Sequence, residues 1–175
     1  MMYRKLAAVT VLAASGFALA IQVQAGPDKV TFPENYAKGA MYLSVDKPPI
    51  KQVHQLYAMP ESFDAARKGQ PMPSGTVFVV VRYSAQLDAQ GNPVKGADGH
   101  FIRDKLLGFN AMEKRTGWGA EYPADKRNGE WEYRAFTDDK KPNDKANLAG
   151  CFGCHKPLTN QDFVQSYDKL KTAKQ

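Results

Sequence analysis

The stretch GTVFVVVRY, residues 75–83, predicts the central strand of a β-sheet. It consists mainly of β-branched and aromatic residues, which favour an extended backbone, and it contains no strong helix former. Further strands are predicted at residues 50–57 (IKQVHQLY), 105–114 (KLLGFNAMEK) and 131–136 (WEYRAF). Extended segments that follow one another in this way predict an antiparallel meander of at least four strands.

Short helices are predicted around these strands. Residues 60–68 begin with a proline in the first turn and stop before a glycine, which is typical of a short helix. Residues 31–43 have loosely helical spacing of their apolar side chains. A closing helix is predicted to begin at Thr159 or Asn160, with an apolar face made of Phe163, Val164, Tyr167 and Leu170. The predicted fold class is therefore α+β, a predominantly antiparallel sheet with a few short helices and a C-terminal helix.

The first 25 residues have the composition of a secretory signal peptide. A basic tip, Arg4 and Lys5, precedes an uncharged apolar run over residues 6–20, and a small-x-small cleavage site ends at Ala25. An uncleaved anchor is the alternative, although this run is shorter than the ~18 to 20 residues that a span needs. Cleavage after Ala25 leaves one predicted domain, residues 26–175.

The charge of the mature chain argues against a nucleic-acid partner. The predicted signal peptide carries two basic residues and no acidic one, so its removal lowers the net charge from +6 to +4. Lysine and arginine are interspersed with aspartate and glutamate, and no dense basic run occurs. No nucleic-acid partner is expected.

The only two cysteines of the chain lie in the motif CFGCH, residues 151–155. A thioredoxin-like dithiol would need a βαβ unit, which the sequence does not show, and a structural zinc site would need four ligands. The third chemistry is covalent haem attachment, in which both thiols add to porphyrin vinyl groups and the adjacent imidazole binds the iron. We therefore predict one covalently attached haem c, with Cys151 and Cys154 as thioether sites and His155 as the iron ligand.

The ligand on the other side of the iron is left open by the sequence. A methionine there favours electron transfer, whereas an empty apolar position admits small ligands. The candidates are Met41, Met59, Met72, Met112, His54 and His100.

A β-rich chain with this motif close to its C-terminus resembles the cytochrome P-460 family, which includes the cytochromes c-prime-beta. The resemblance rests on FPENY (32–36), LYAMPESFDAARKGQPMPSGTVFVVV (56–81), GFNAMEKRTGWG (108–119) and CFGCHKPLTNQDFVQSY (151–167). It implies a periplasmic protein, an antiparallel β fold, a homodimer, and five-coordinate iron with a pocket on its distal side.

The hydroxylamine-oxidising members of that family carry a haem-linked lysine and a distal carboxylate. At the corresponding positions this sequence has Val80, which has no nucleophile, and Asn110, which cannot serve as a general base. Lys105 is the alternative if a cross-link exists. His54 corresponds to a distal arginine, and Phe78 and Phe109 are expected to cover the distal face, although both are equally consistent with ordinary core packing.

These departures favour binding of a diatomic gas, nitric oxide above all, at a five-coordinate haem iron. Two alternatives stay open. One is an electron carrier with a periplasmic redox partner, and the other is an enzyme that oxidises hydroxylamine or another small nitrogen compound.

Overall fold

Five strands form one antiparallel sheet in the order β1-β2-β3-β4-β5, so each strand pairs with its neighbours along the chain. The computed structural model describes residues 29–174, and the predicted signal peptide lies outside this range. The strands are β1 (Ala40–Lys47), β2 (Gln52–Ala58), β3 (Val77–Ala85), β4 (Arg103–Lys114) and β5 (Trp131–Phe136). The predicted meander and the α+β class are confirmed.

Three short helices accompany the sheet: α1 (Pro60–Arg67), α2 (Leu148–His155) and α3 (Tyr167–Thr172). Single 3₁₀ turns occur at Tyr36–Lys38, Pro48–Ile50, Ala124–Lys126 and Thr159–Gln161. Within residues 29–174, no helix has the length and the apolar composition that crossing a membrane requires.

The alternation of side chains along β3 gives the sheet two different faces. Phe78, Val80 and Arg82 point to one side, which we call the motif face because the cysteine motif packs there. The core on this face contains Phe63 of α1 and Leu170 of α3. Val79 and Val81 point to the back face, where Val30, Phe32 and Tyr36 of the N-terminal segment cover them.

The helix predicted over residues 31–43 is wrong. Only the turn Tyr36–Lys38 is helical, and Ala40 already begins β1. The reason is tertiary, because β1 pairs along its length with β2, from Ala40 opposite Ala58 to Lys47 opposite Gln52. Sheet pairing overrides a weak local preference in this segment.

The C-terminal region also differs from the prediction. The CFGCH motif forms the C-terminal part of α2, a helix that the sequence analysis does not predict. The side chain of its N-cap residue, Asn147, accepts a hydrogen bond from the Gly150 amide (3.3 Å). The closing helix is shorter than predicted, because Asp162 and Phe163 adopt positive φ angles of 49° and 61° and interrupt it.

Candidate functional site

The two cysteines lie on the same side of α2, one helical turn apart. Cys151 and Cys154 are separated by three residues, and side chains at that spacing are neighbours on a helix surface. Both thiols are free, with Cys151 half-buried against the core and Cys154 exposed. Burial raises the pKa of the Cys151 thiol. The motif therefore presents two sulfur atoms from one rigid element.

His155 ends α2 with one ring nitrogen already engaged. Its Nδ1 lies 2.6 Å from the carbonyl oxygen of Phe163. A carbonyl oxygen can only accept a hydrogen bond, so Nδ1 carries the proton and is the hydrogen-bond donor. Nε2 therefore keeps the lone pair that binds a metal. Burial lowers the pKa of His155, which favours the neutral imidazole. The ring is thus oriented and in the tautomer suited to metal binding through Nε2.

Asn128 anchors the motif to the sheet. It is fully buried, and its Nδ2 donates to the hydroxyl of Tyr133 on β5 (2.9 Å) and to the carbonyl of Phe152 inside the motif (3.0 Å). The Tyr133 ring centroid lies 5.2 Å from that of His155. One side chain therefore links α2 to β5 next to the predicted iron ligand.

Replacing Asn128 by leucine should lower the free energy of unfolding by about 2 kcal/mol, because a buried hydroxyl and a partly buried carbonyl both lose their donor. For a chain of this size we expect a fall in the melting temperature of roughly 4 to 8 °C. Thermal unfolding followed by circular dichroism measures it. Asn160→Leu, at an exposed position of the same C-terminal region, is the control and should change little. Equal effects of the two changes would refute the anchoring role.

The motif face carries a partly exposed apolar strip at the centre of the sheet. Leu56 on β2 lies opposite Val80 on β3, and neither is fully buried although their strands are flanked on both sides. Asn110 on β4 lies on the other side of Val80, and its side chain belongs to the same face. Interior strands normally bury such side chains, so this strip marks a place where another group can cover the sheet.

The structure brings four of the five predicted distal residues to the motif face: His54, Phe78, Val80 and Asn110. Phe78 is only 5% exposed and packs 5.8 Å from Trp131, so it belongs to the core beside the motif.

Phe109 lies on the back face, where its ring is 5.0 Å from that of Phe32. Adjacent residues of a strand point to opposite sides, so Phe109 cannot share a face with Asn110 and is removed from the candidate set.

Arg82 is a site residue that the sequence analysis missed. It lies opposite His54 across β2 and β3, and its charge acts on the Cys151 thiol. Its Nε is buried and has no hydrogen-bond partner among the described residues. Room for the guanidinium exists because Gly108 on β4 has no side chain. The strand period of two residues could have identified Arg82, because it lies two residues after Val80 on the same strand and must share its face.

His54 is kept neutral by its surroundings. Its Nε2 lies 3.0 Å from Oε1 of Gln52, and burial, with the positive charges of Lys47 and Arg82, lowers its pKa to about 4. The free imidazole titrates near 6.5, so below that pH the unfolded chain binds a proton that the folded protein does not. Folded-state stability is therefore lost as the pH falls from about 6.5 toward 4.

His54→Gln should remove part of this pH dependence. Allowing for solvent screening at a half-exposed site, we expect the wild-type protein to lose about 1 kcal/mol more than the variant between pH 7 and pH 5. Guanidinium unfolding of the haem-loaded proteins at both pH values measures the difference. The exposed His100, replaced by glutamine, is the control and should leave the wild-type slope intact. Parallel slopes for His54→Gln and wild type would contradict the prediction.

The other candidate iron ligands are scattered. Met41 is 45% exposed, whereas Met72 and Met112 are buried in the core on the motif side, at 2% and 8%. His100 is exposed, and its Nδ1 lies 3.7 Å from Asp46. Lys105 is also exposed, on the first half of β4. Of the four methionines, Met112 combines a strand position on the motif face with burial beside Phe78 and Tyr133.

A cavity of about 430 Å³ lies against the back face, and Met59, another of the candidate iron ligands, is among its lining residues. Tyr36, Tyr57, Val77 and Glu113 are among its lining residues, and none comes from the motif. Its size does not make it the reactive site, since the thiols and the oriented imidazole are on the other side of the sheet.

The donor set on the motif face fits haem. Two thiols on one helix side, an imidazole with Nε2 available, and the apolar strip of Leu56 and Val80 are the groups that hold and cover a c-type porphyrin. Residues 29–174 contain no group of three or more histidine, cysteine, aspartate or glutamate side chains that could hold a metal ion.

Comparison with known proteins agrees with this chemistry. The family model described as Cytochrome P460 matches residues 33–166, which span β1 to β5, α1 and α2. No curated protein matches the chain.

Proposed function

Because the chain belongs to the Cytochrome P460 family, and is therefore a c-type haem cytochrome, we propose that it binds nitric oxide or a similar diatomic gas at a five-coordinate haem iron. In this proposal the sulfur atoms of Cys151 and Cys154 would hold one haem covalently, and His155 would bind its iron. The observation that carries it is the partly exposed apolar strip, Leu56 and Val80, on the face that the motif occupies.

The haem, when bound, supplies an iron that can take a gas molecule in its remaining coordination position. The protein contributes the surroundings. The Nδ1–H of His155, held by the Phe163 carbonyl, orients the imidazole. In this proposal Leu56 and Val80 present an apolar surface toward the haem, and neutral His54 offers a hydrogen-bonding group on the same face. An apolar surface beside the iron favours uncharged diatomic ligands over hydrophilic substrates.

The same residues argue against hydroxylamine oxidation. Val80 offers no nucleophile for a cross-link, and the amide of Asn110 cannot accept a proton from a substrate near neutral pH. Lys105 is exposed on the outer half of β4, away from the apolar strip. A gas-binding role needs neither group.

Ultraviolet-visible spectra of the ferrous protein test the proposal. We expect a high-spin five-coordinate spectrum that changes on addition of nitric oxide and of carbon monoxide. A low-spin six-coordinate spectrum that ignores both gases would overturn it. Val80→Phe, which adds bulk to the apolar strip, should weaken carbon monoxide binding at least tenfold, whereas Leu107→Phe at an exposed position of β4 should not.

Electron transfer is the second candidate, and the position of Met112 favours it. This residue is buried beside Phe78 on the motif face. A methionine thioether is the second iron ligand in electron-transfer cytochromes c. A low-spin wild-type spectrum that becomes high-spin in Met112→Leu would identify it, and a redox partner would then be expected.

Export to the periplasm and a homodimer complete the proposal. The basic tip and apolar run of residues 1–25 support export, and the family resemblance supports pairing of two subunits. Cell fractionation and sedimentation equilibrium of the mature protein test them separately.

A further inference from the structure

The loop between α2 and α3 has an unusual backbone conformation. Asp162 and Phe163 are consecutive residues with φ angles of 49° and 61°, and neither is glycine. Residues with side chains pay roughly 1 kcal/mol or more each for the left-handed region, so contacts elsewhere must stabilise this turn. Those contacts indicate the role of the turn.

A buried ion pair holds the turn. Oδ2 of Asp162 accepts hydrogen bonds from Nζ of Lys114 and from the backbone amide of Met72, both at 2.8 Å. The side chains are only 10% and 15% exposed for Lys114 and Asp162. Charge-assisted bonds at this burial are among the stronger ones in proteins. The loop is thereby fixed to the end of β4 and to the segment before β3.

The turn places one carbonyl against the predicted iron ligand. Phe163 directly follows Asp162, and its carbonyl oxygen accepts the hydrogen bond from Nδ1 of His155 at 2.6 Å. On its other side, the Phe163 amide donates to the Leu158 carbonyl (2.8 Å). The Phe163 ring packs on Gly129, where an added Cβ would come within 3.0 Å of the ring edge. The carbonyl is therefore held from three directions.

We propose that Lys114 and Asp162 are positioning residues for His155, acting through the Phe163 carbonyl to set the strength of the bond between imidazole and iron. The inference rests on the proposed ligation of haem by His155. A short hydrogen bond from Nδ1–H to the carbonyl makes Nε2 donate its electron pair more strongly to the iron. Stronger electron donation stabilises ferric iron and lowers the reduction potential. Neither residue touches the motif, so a purely structural role would leave those iron properties unchanged.

Two substitutions test the link in the haem-loaded protein. Asp162→Asn preserves size and removes the charge, and Lys114→Met preserves length and removes the donor. We expect both to lower the iron–histidine stretching frequency in ferrous resonance Raman spectra and to raise the reduction potential. The double variant should shift no further than the larger single shift, because both residues act through one carbonyl. Lys114→Arg, which keeps the charge, should stay near the wild-type values.

A matched control is available on α3. Asp168 and Lys171 form an ion pair of the same length, 2.8 Å, but are 69% and 43% exposed and lie away from His155. Asp168→Asn should leave both the frequency and the potential unchanged.

Wild-type values in Asp162→Asn and Lys114→Met, with haem attached, would overturn this inference and leave the proposed haem ligation standing. A wild-type protein whose mass contains no haem would overturn both. If Asp162→Asn fails to fold, Lys114→Met and Lys114→Arg still decide the question, since they leave the loop sequence intact.

Discussion

The double substitution Cys151→Ala/Cys154→Ala should yield a folded protein that carries no covalently attached haem. Each thioether bond needs one cysteine sulfur atom, and the chain contains no cysteine besides these two. Folding should survive, because Cys154 is exposed and Cys151 is only half-buried, so the lost packing costs about 1 kcal/mol. The expected effect is complete: intact mass spectrometry of the exported protein should show the polypeptide mass alone, where the wild type shows polypeptide plus haem.

Gly153→Ala is the matched control within the same motif. Gly153 lies between the cysteines, and a Cβ added there would meet nothing within 4 Å. This variant should keep the full haem mass, and each single cysteine variant should keep one thioether bond. Covalent haem in the double variant would remove the basis for the proposed site.

Among the four strands that were predicted correctly, β3 and β5 are those whose residue types leave little choice. β3 contains a run of valines and β5 three aromatic residues in six, so both favour extended backbone on their own. β1 was missed because its sequence, AMYLSVDK, has no such bias and becomes a strand only by pairing with β2. An edge strand of this kind depends on a partner that local sequence cannot reveal.

The predicted distal residues lie on two different faces of the sheet. Val80 and Asn110 were found on one face because they are paired across β3 and β4. Phe109 was assigned by its place in a family-like motif, without regard to the alternation that sends it to the back face. The alternation also predicts that Arg82 shares a face with Val80. Its place beside the motif could be recognised only once the structure showed which face the motif covers.

The support of His155 could not be predicted from sequence. It depends on Lys114 and Asp162, which are far apart along the chain, and on a left-handed turn formed without glycine. Turn prediction relies on glycine, proline, asparagine, aspartate and serine, and nothing in the residue type of Phe163 predicts a second left-handed residue after Asp162. Only the three-dimensional contacts show that the carbonyl of Phe163 reaches Nδ1.

Gly108→Ala should lower the free energy of unfolding by about 3 kcal/mol or more, the largest stability loss expected of a single methyl group here. Gly108 has a φ of 129°, and an added Cβ would collide with the Phe136 carbonyl oxygen and approach the Thr137 backbone to 3.2 Å. Neighbouring backbone in the β4–β5 pairing cannot move aside cheaply. The same Cβ would lie 3.1 Å from Nη2 of Arg82, so the change also displaces the guanidinium on the motif face.

Thermal unfolding measures the loss, with an expected fall in melting temperature of roughly 6 to 12 °C. Gly99→Ala separates collision from backbone strain, because Gly99 also has a positive φ, 79°, but a Cβ there would meet nothing within 4 Å. That variant should cost only about 1 kcal/mol. Equal losses at the two positions would mean that strain alone explains Gly108. A larger loss at Gly108, with an altered ferric haem spectrum, would show that the close approach of β4 and β5 also fixes Arg82 beside the motif.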